Sequence, residues 1–220
     1  MSIFGTELAR STYALQASDL VSCGAIAGLC LPHELNFVRV YVQDQPVGML
    51  FVSANQINFV IPDVLIPGPV TVRVATEGGT GGNVTVTLVP AAPALFPLGN
   101  GYLIATSAAN QLLTAANPAH AGDTVVIYIT GLGMTSPNPA PGEIPTYAGQ
   151  MIPANLATLK VTLNGAAVDP TLIKYAGLTP GSAGLYQINL YIPYGTATDP
   201  EVEVFAGTAG SQAGLKLPVQ

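Results

Sequence analysis

Apolar and polar positions alternate with period two along much of the chain, and two segments carry that alternation almost identically: QINFVIP, Gln56 to Pro62, and QINLYIP, Gln187 to Pro193. Period two is the signature of a strand with one buried face. Ile57, Phe59 and Ile61, and likewise Ile188, Leu190 and Ile192, are predicted to enter two cores. Gln56, Asn58 and Val60 face the other way, matched by Gln187, Asn189 and Tyr191. Each segment stops at a proline, which has no N–H to give to a sheet ladder.

The repetition runs well beyond seven residues. SIFGTELA (Ser2 to Ala9) matches VIYITGLG (Val126 to Gly133) upstream, and GPVTVRVAT (Gly68 to Thr76) matches DPEVEVFAG (Asp199 to Gly207) downstream. Between these markers FVRVYVQDQPVGMLFVS and ATLKVTLNGAAVDPTLIKYAG both read as strand, tight turn, strand. Asn164-Gly165 is a hairpin signal, because both central residues of the favoured turn need positive φ. The paired positions are offset by 124 at Leu8 and Leu132 and by 131 at Gln56 and Gln187, a difference expected to be insertion length. Two copies of one β domain follow. The expected fold is all-β, two tandem immunoglobulin-like β-sandwich domains over residues 1–92 and 93–220, each near the size usual for such a sandwich.

The copies differ at their starts. LIATSAANQLLTAANPAHAGD precedes VIYITGLG, enough for a first strand and a turn, whereas Met1 alone precedes SIFGTELA. The first copy is therefore expected to lack its first strand and to expose a sheet edge. A neighbouring copy is expected to close that edge by β-augmentation and so to build a filament, the donor being the GLKLPVQ or the ATSAANQLL segment.

A binding residue need appear only once, so a Gln-x-Asn pair kept in both copies points to something each copy of the fold requires. The expected role of Gln56, Asn58, Gln187 and Asn189 is structural: to hydrogen-bond loop backbone groups otherwise left unsatisfied.

Composition narrows the setting. Charged residues are 8% of the 220, against roughly 25% in an average globular protein, and 49% are hydrophobic, so the chain has ample apolar surface to bury and is not of the disordered class. Six Lys+Arg residues, scattered as Arg10, Arg39, Arg73, Lys160, Lys174 and Lys216, and a net charge of -6 leave no basic stripe for nucleic acid. No apolar run approaches the length of a membrane helix, and MSIFGTEL lacks the layout of an export signal, so none is expected within this numbering. Cys23 and Cys30, close together in an otherwise Cys-free chain, suit a local disulfide formed in an oxidising compartment, with free thiols the alternative. A zinc site would need more ligands than the nearby His33 supplies.

FGTELA, FVSANQINFVIP, APALF (Ala92 to Phe96), VVIYITGLG and YAGLTPGSAGLYQINLYIP together resemble an uncharacterised domain at the C-terminal ends of large secreted proteins of Acidobacteria of the Solibacter type. More distantly the chain is similar to the IPT/TIG branch of immunoglobulin-like folds. The resemblance spans nearly the whole chain, with five motifs in order, and implies an exported pair of β-sandwiches with no assigned activity and no catalytic residues to carry over. The cysteine loop departs from the family pattern.

Motifs for chemistry are sparse. GSAG at Gly181 to Gly184 has the wrong spacing for a nucleophile elbow. His120, in NPAHAGD beside Asp123, reads as a turn before a strand rather than as a general base, and GGTGG at Gly78 to Gly82 has neither a following helix nor a Lys, so it reads as a hairpin loop rather than a phosphate cradle. Asp199, Glu201 and Glu203 line one strand face, which reads as solvated, with weak calcium binding the alternative. Asn83-Val84-Thr85 has the form of a glycosylation sequon but reads as an ordinary strand entry. Tyr128, Tyr147, Tyr175, Tyr186, Tyr191 and Tyr194 all fall in the second copy, and outward Tyr beside Asn or Gln suits protein contacts or sugar stacking. The function expected is that of a non-catalytic, extracellular or cell-surface structural or adhesive module without cofactor, metal or membrane span. Its expected partners are copies of itself or other extracellular proteins, and the alternative is a carbohydrate-binding module that takes polysaccharide beside an extracellular enzyme.

Overall fold

A computed structural model describes residues 1–23, 28–62 and 66–220, the side chains of 153 and 154 excepted. Among the described residues the fold is all-β in several sheets, with only short helical turns at Ala17–Asp19, Pro153–Leu156 and Pro170–Leu172. The chain divides into two compact units: Met1–Val89 with Pro139–Thr146 and Pro180–Ala183, and Pro90–Asn138 with Tyr147–Thr179 and Gly184–Gln220.

The first unit holds β1 (Ser2–Phe4), β2 (Tyr13–Ala14), β3 (Val21–Cys23), β4 (Gly28–Cys30), β5 (Arg39–Val42), β6 (Gln45–Pro46), β7 (Gly48–Val52), β8 (Gln56–Val60), β9 (Gly68–Thr76), β10 (Gly79–Thr80) and β11 (Val84–Leu88). One sheet runs β1-β8-β7-β2; the other runs β10-β9-β5-β6, with β11 also pairing β9. Alternation places Ile57, Phe59, Met49 and Val52 on the inner face of the first sheet and Val40, Val42, Val70 and Val72 on that of the second, and the eight meet in one buried cluster. The β3–β4 hairpin forms a separate two-stranded ribbon.

The second unit holds β12 (Ala94–Leu95), β13 (Pro97–Gly99), β14 (Tyr102–Leu103), β15 (Ala105–Ser107), β16 (Thr124–Thr130), β17 (Thr135–Ser136), β18 (Gln150–Met151), β19 (Leu159–Leu163), β20 (Ala166–Ala167), β21 (Ile173–Leu178), β22 (Tyr186–Tyr191), β23 (Val202–Ala206) and β24 (Ala209–Gly210). One sheet runs β12-β16-β22-β21-β18-β17, with β15 also on β16; a second runs β20-β19-β23-β24, and β13 pairs β14 alone. Ile127, Ile129, Ile188 and Leu190 from the first sheet pack on Val161, Val202 and Val204 from the second.

Strand register shows how far the two units repeat. Ser2, Ile3 and Phe4 oppose Asn58, Ile57 and Gln56, while Val126, Ile127 and Tyr128 oppose Asn189, Ile188 and Gln187. The offsets of 124 and 131 in the sequence are thus those of the paired strands. The seven extra residues lie in the hairpin that carries the chain into the QIN strand: Ser53 is joined to Gln56 by two residues, whereas Gly177, its equivalent, is joined to Gln187 by nine. Both β5–β6 and β19–β20 turn through two residues of positive φ, Gln43 and Asp44 in one and Asn164 and Gly165 in the other. Both partner strands also bulge opposite the same two QIN-strand residues: Leu50 is extra between Met49 and Phe51, as Lys174 is between Ile173 and Tyr175.

The two segments expected to serve as strand donors are not free to do so. Ala105–Ser107 is paired to β16 and Leu113 is buried, while Leu217 and Val219 are buried in the second unit's core, with Lys216 O accepting from Leu103 N and Pro218 O from Ala119 N. Each completes its own unit because its alternating apolar residues already have a core to enter.

Candidate functional site

Gln56 and Asn58 alternate with buried Ile57 and Phe59, so both project from the outer face of the first unit's sheet; Gln187 and Asn189 do the same in the second. Residues i and i+2 of a strand share a face, and a Gln side chain spans that interval. Gln56 Nε2 donates to Asn58 Oδ1 at 2.8 Å, and Gln187 Nε2 to Asn189 Oδ1 at 2.9 Å. This corrects the sequence expectation: the amide partner is the neighbouring side chain along the strand and not a loop backbone group. Ser2 Oγ adds a second bond to Asn58 Oδ1 at 2.8 Å. The loop task expected of Gln56 falls to Ser53, which is buried and whose Oγ accepts from Gln56 N at 3.0 Å.

Aromatic residues frame each amide pair from the adjoining strands. Phe4 opposes Gln56 and Phe51 opposes Asn58; Tyr128 opposes Gln187 and Tyr175 opposes Asn189. The tyrosines of the second unit are mostly committed to local bonds. Tyr175 Oη donates to Leu178 O at 2.7 Å and Tyr186 Oη to Gly133 O at 2.8 Å. Tyr191 bonds Tyr194, which together with desolvation raises the Tyr191 phenol above its ordinary range, and Lys174 Nζ stands 5.8 Å from the centroid of the Tyr191 ring. Tyr194 itself is exposed.

Cys23 and Cys30 form a disulfide that ties the ends of β3 and β4. The outer strand of this hairpin takes on a further segment of the first unit: Leu31 N donates to Gly142 O at 2.9 Å, Ile144 N to Leu29 O at 2.8 Å, and Cys30 bridges Glu143. Main-chain pairing of this kind follows no side-chain period, so nothing in PAPGEIPT advertised it.

The remaining motifs are placed as turns and surface. His120 N donates to Asp123 Oδ2 at 2.8 Å and Asp123 N to His120 O at 3.0 Å, a closed turn. Glu201 Oε1 accepts from Gly214 N at 2.5 Å. Among the described residues, no three of His, Cys, Asp and Glu are grouped to hold a metal ion, and no helix is long and apolar enough to cross a membrane.

Two further features bear on function, the first expected from the sequence and the second not. The first is the outer edge of β1. Gly5 N donates to Asn55 O and Phe59 N to Met1 O, so by the alternation of an antiparallel ladder the N–H and C=O of Ser2 and Phe4 point away from β8. Among the described residues no strand pairs that edge, and Phe4 is 74% exposed. On β16 the equivalent edge carries both β12 and β15, and Tyr128 N, the counterpart of Phe4 N, donates to Ile104 O at 3.3 Å.

The other is a groove of about 470 Å³ in the first unit, lined by Val21, Pro32, His33, Glu34, Arg39, Tyr41 and Pro46. Arg39 and Tyr41 alternate with buried Val40 and Val42, which puts them on the outer face of β5, and Arg73 opposes Tyr41 from β9. An Arg-x-Tyr step on a strand was the only sequence signal for it.

No family model matches the chain, and no curated protein does. Among solved structures, it resembles the Bacteroides ovatus mixed-linkage glucan utilization locus protein SGBP-B, in complex with a mixed-linkage heptasaccharide, at 14% identity and a TM-score of 0.33, over 96% of this chain and 46% of that one. The chain thus spans about half the length of that protein. It also resembles the titin domains z1z2 in complex with telethonin, at 14% identity and a TM-score of 0.26, over 96% of this chain and 98% of that one. A third resemblance is to the surface layer protein SbsC, domains 4-9, at 13% identity and a TM-score of 0.19, over 100% of this chain and 30% of that one.

Proposed function

We propose that the two units are immunoglobulin-like sandwiches in tandem, and that the chain is a non-catalytic structural or adhesive module displayed outside the cell, where it associates with copies of itself through the outer edge of β1. The observation that carries this reading is the contrast between equivalent strands: the edge of β16 is paired, and that of β1 is not among the described residues. An exposed row of outward N–H and C=O groups is a template for a second strand, and this edge carries none of the Lys or Pro residues that usually blunt one.

Because both expected donor segments are built into the second unit, the partner is the same edge of another copy. Two β1 strands laid antiparallel about Ile3 set Ser2 against Phe4 of the second copy and satisfy all four outward groups of each strand. This contact is isologous and closes at a dimer, rather than continuing as the filament expected from strand donation. The disulfide supports the extracellular setting, since such bonds persist in oxidising compartments.

Sedimentation velocity from micromolar to millimolar protein tests the reading. The expected result is a weak monomer–dimer equilibrium, lost in Phe4→Pro, which removes an outward N–H without touching the β1–β8 ladder. A monomer at every concentration, or a Phe4→Pro variant that dimerises as well as the parent, overturns it.

A further inference from the structure

The chain is poor in charge, yet six of its titratable side chains gather on and beside the outer face of β5 and β9. Arg39 Nη2 pairs with Glu34 Oε2 at 2.5 Å and also bonds Tyr41; Arg73 lies 4.5 Å above the centroid of the Tyr41 ring and pairs with Asp44 Oδ1 at 3.2 Å; and His33 adjoins Glu34. These groups do not hang on a loose loop. Pro32 O accepts from Met49 N at 2.9 Å, Leu31 is buried, and Leu35 and Val38 exchange both backbone bonds at 3.0 Å, so His33 and Glu34 sit on a short segment fastened at each end. Gly48 makes room for that fastening: a Cβ there would come within 2.8 Å of Leu31 Cβ.

We propose that the groove bounded by His33, Glu34, Arg39 and Tyr41 is a binding site for a neutral oligosaccharide. The charges cancel in pairs, Arg39 with Glu34 and Arg73 with Asp44, so the groove offers fixed donors and acceptors without a net field to attract an ion. A guanidinium gives only donors, a carboxylate gives only acceptors, and an imidazole and a phenol give both; side by side they match vicinal hydroxyl groups, each of which is donor and acceptor at once. Val21, Pro32 and Pro46 supply the apolar walls on which the C–H face of a sugar ring rests. The volume falls in the range of small-ligand sites, and a mostly preformed site with a few convergent polar groups is the usual form of one. This site is independent of the β1 edge and does not rest on self-association.

The test is nuclear magnetic resonance titration of the intact chain with cellohexaose, xylohexaose, mannohexaose and maltohexaose, and with hexagalacturonate as the anionic arm. The expected result is binding of at least one neutral hexasaccharide, with shifts centred on the amides of His33, Glu34, Arg39 and Tyr41. Tyr41→Ala and Arg39→Ala are each expected to weaken it at least tenfold while the spectrum elsewhere stays that of the folded chain. Should either variant fail to fold, His33→Ala, whose side chain is exposed, is expected to weaken binding at least threefold and takes its place. The proposal is overturned if no neutral hexasaccharide shifts these amides at millimolar concentration, if only hexagalacturonate binds, or if the folded variants bind as tightly as the parent.

Discussion

Gln56 donates a side-chain amide hydrogen bond to Asn58 two residues along the same strand, and 131 residues later Gln187 does the same to Asn189. The pair sits on the outer face, half-buried between aromatic residues of the flanking strands. Truncating either Gln removes one neutral hydrogen bond and leaves an Asn oxygen that water can still reach. Gln56→Ala and Gln187→Ala are therefore each expected to cost about 0.5–1.5 kcal/mol in urea unfolding, and their effects to add. A loss well above that range in either variant would mean that the amide holds a buried group after all.

Ser53 and Gly177 occupy equivalent places opposite Gln56 and Gln187, yet only one of them can be more than glycine. A Cβ on Gly177 would collide with the Gly149 carbonyl oxygen and lie 2.8 Å from both Gln150 Cα and Tyr175 Oη, because β18 runs close against it. Gly177→Ser is expected to cost about 3 kcal/mol, the upper end of overpacking, and Ser53→Gly about half as much, through the lost turn bonds of Ser53 Oγ. Thermal unfolding of both variants checks the order, and equal effects would contradict it.

The sequence made the repeat legible because alternation and turn chemistry are local. Offsets of 124 and 131 located the equivalent strands, and the core positions Ile57, Phe59, Ile188 and Leu190 are fully buried. The bulges at Leu50 and Lys174 were not legible, since a bulge preserves the side-chain pattern on either side and shows only in the partner strand's register. The partner of Gln56 was missed for a related reason: period two places residues on faces without saying which same-face neighbours bond. The Arg39–Glu34–Tyr41 groove depends on a backbone connection from Pro32 to Met49, which no local pattern announces.

The Cys23–Cys30 bond closes a short loop and steadies the hairpin that receives Gly142–Ile144. Both sulfurs are expected to resist alkylation in protein isolated without reductant, as read by mass spectrometry. Replacing both cysteines by serine is expected to lower local stability by about 2–3 kcal/mol. Hydrogen exchange at Leu31 and Ile144 should quicken accordingly, because their amides donate across the strand next to the disulfide. Unchanged exchange at both amides would show that the hairpin holds without its covalent tie.

The edge of β1 can be closed deliberately with the strands that close its counterpart. Residues 93–124 precede Val125 on β16, and Val125 is the equivalent of Met1, so placing a second copy of 93–124 directly ahead of Met1 reproduces the native spacing. Its Ala105–Ser107 segment then reaches β1 in the register it holds against Val125–Ile127. In the extended chain the Phe4 amide is expected to become protected from exchange, as the Tyr128 amide is bonded to Ile104 O. Self-association should fall away, and the unfolding midpoint of the first unit should rise, since an added strand both satisfies the outward groups and covers the half-buried Ile3. A chain whose Phe4 amide is protected yet which still dimerises would show that the copies meet elsewhere, and that the open edge of β1 is not what joins them.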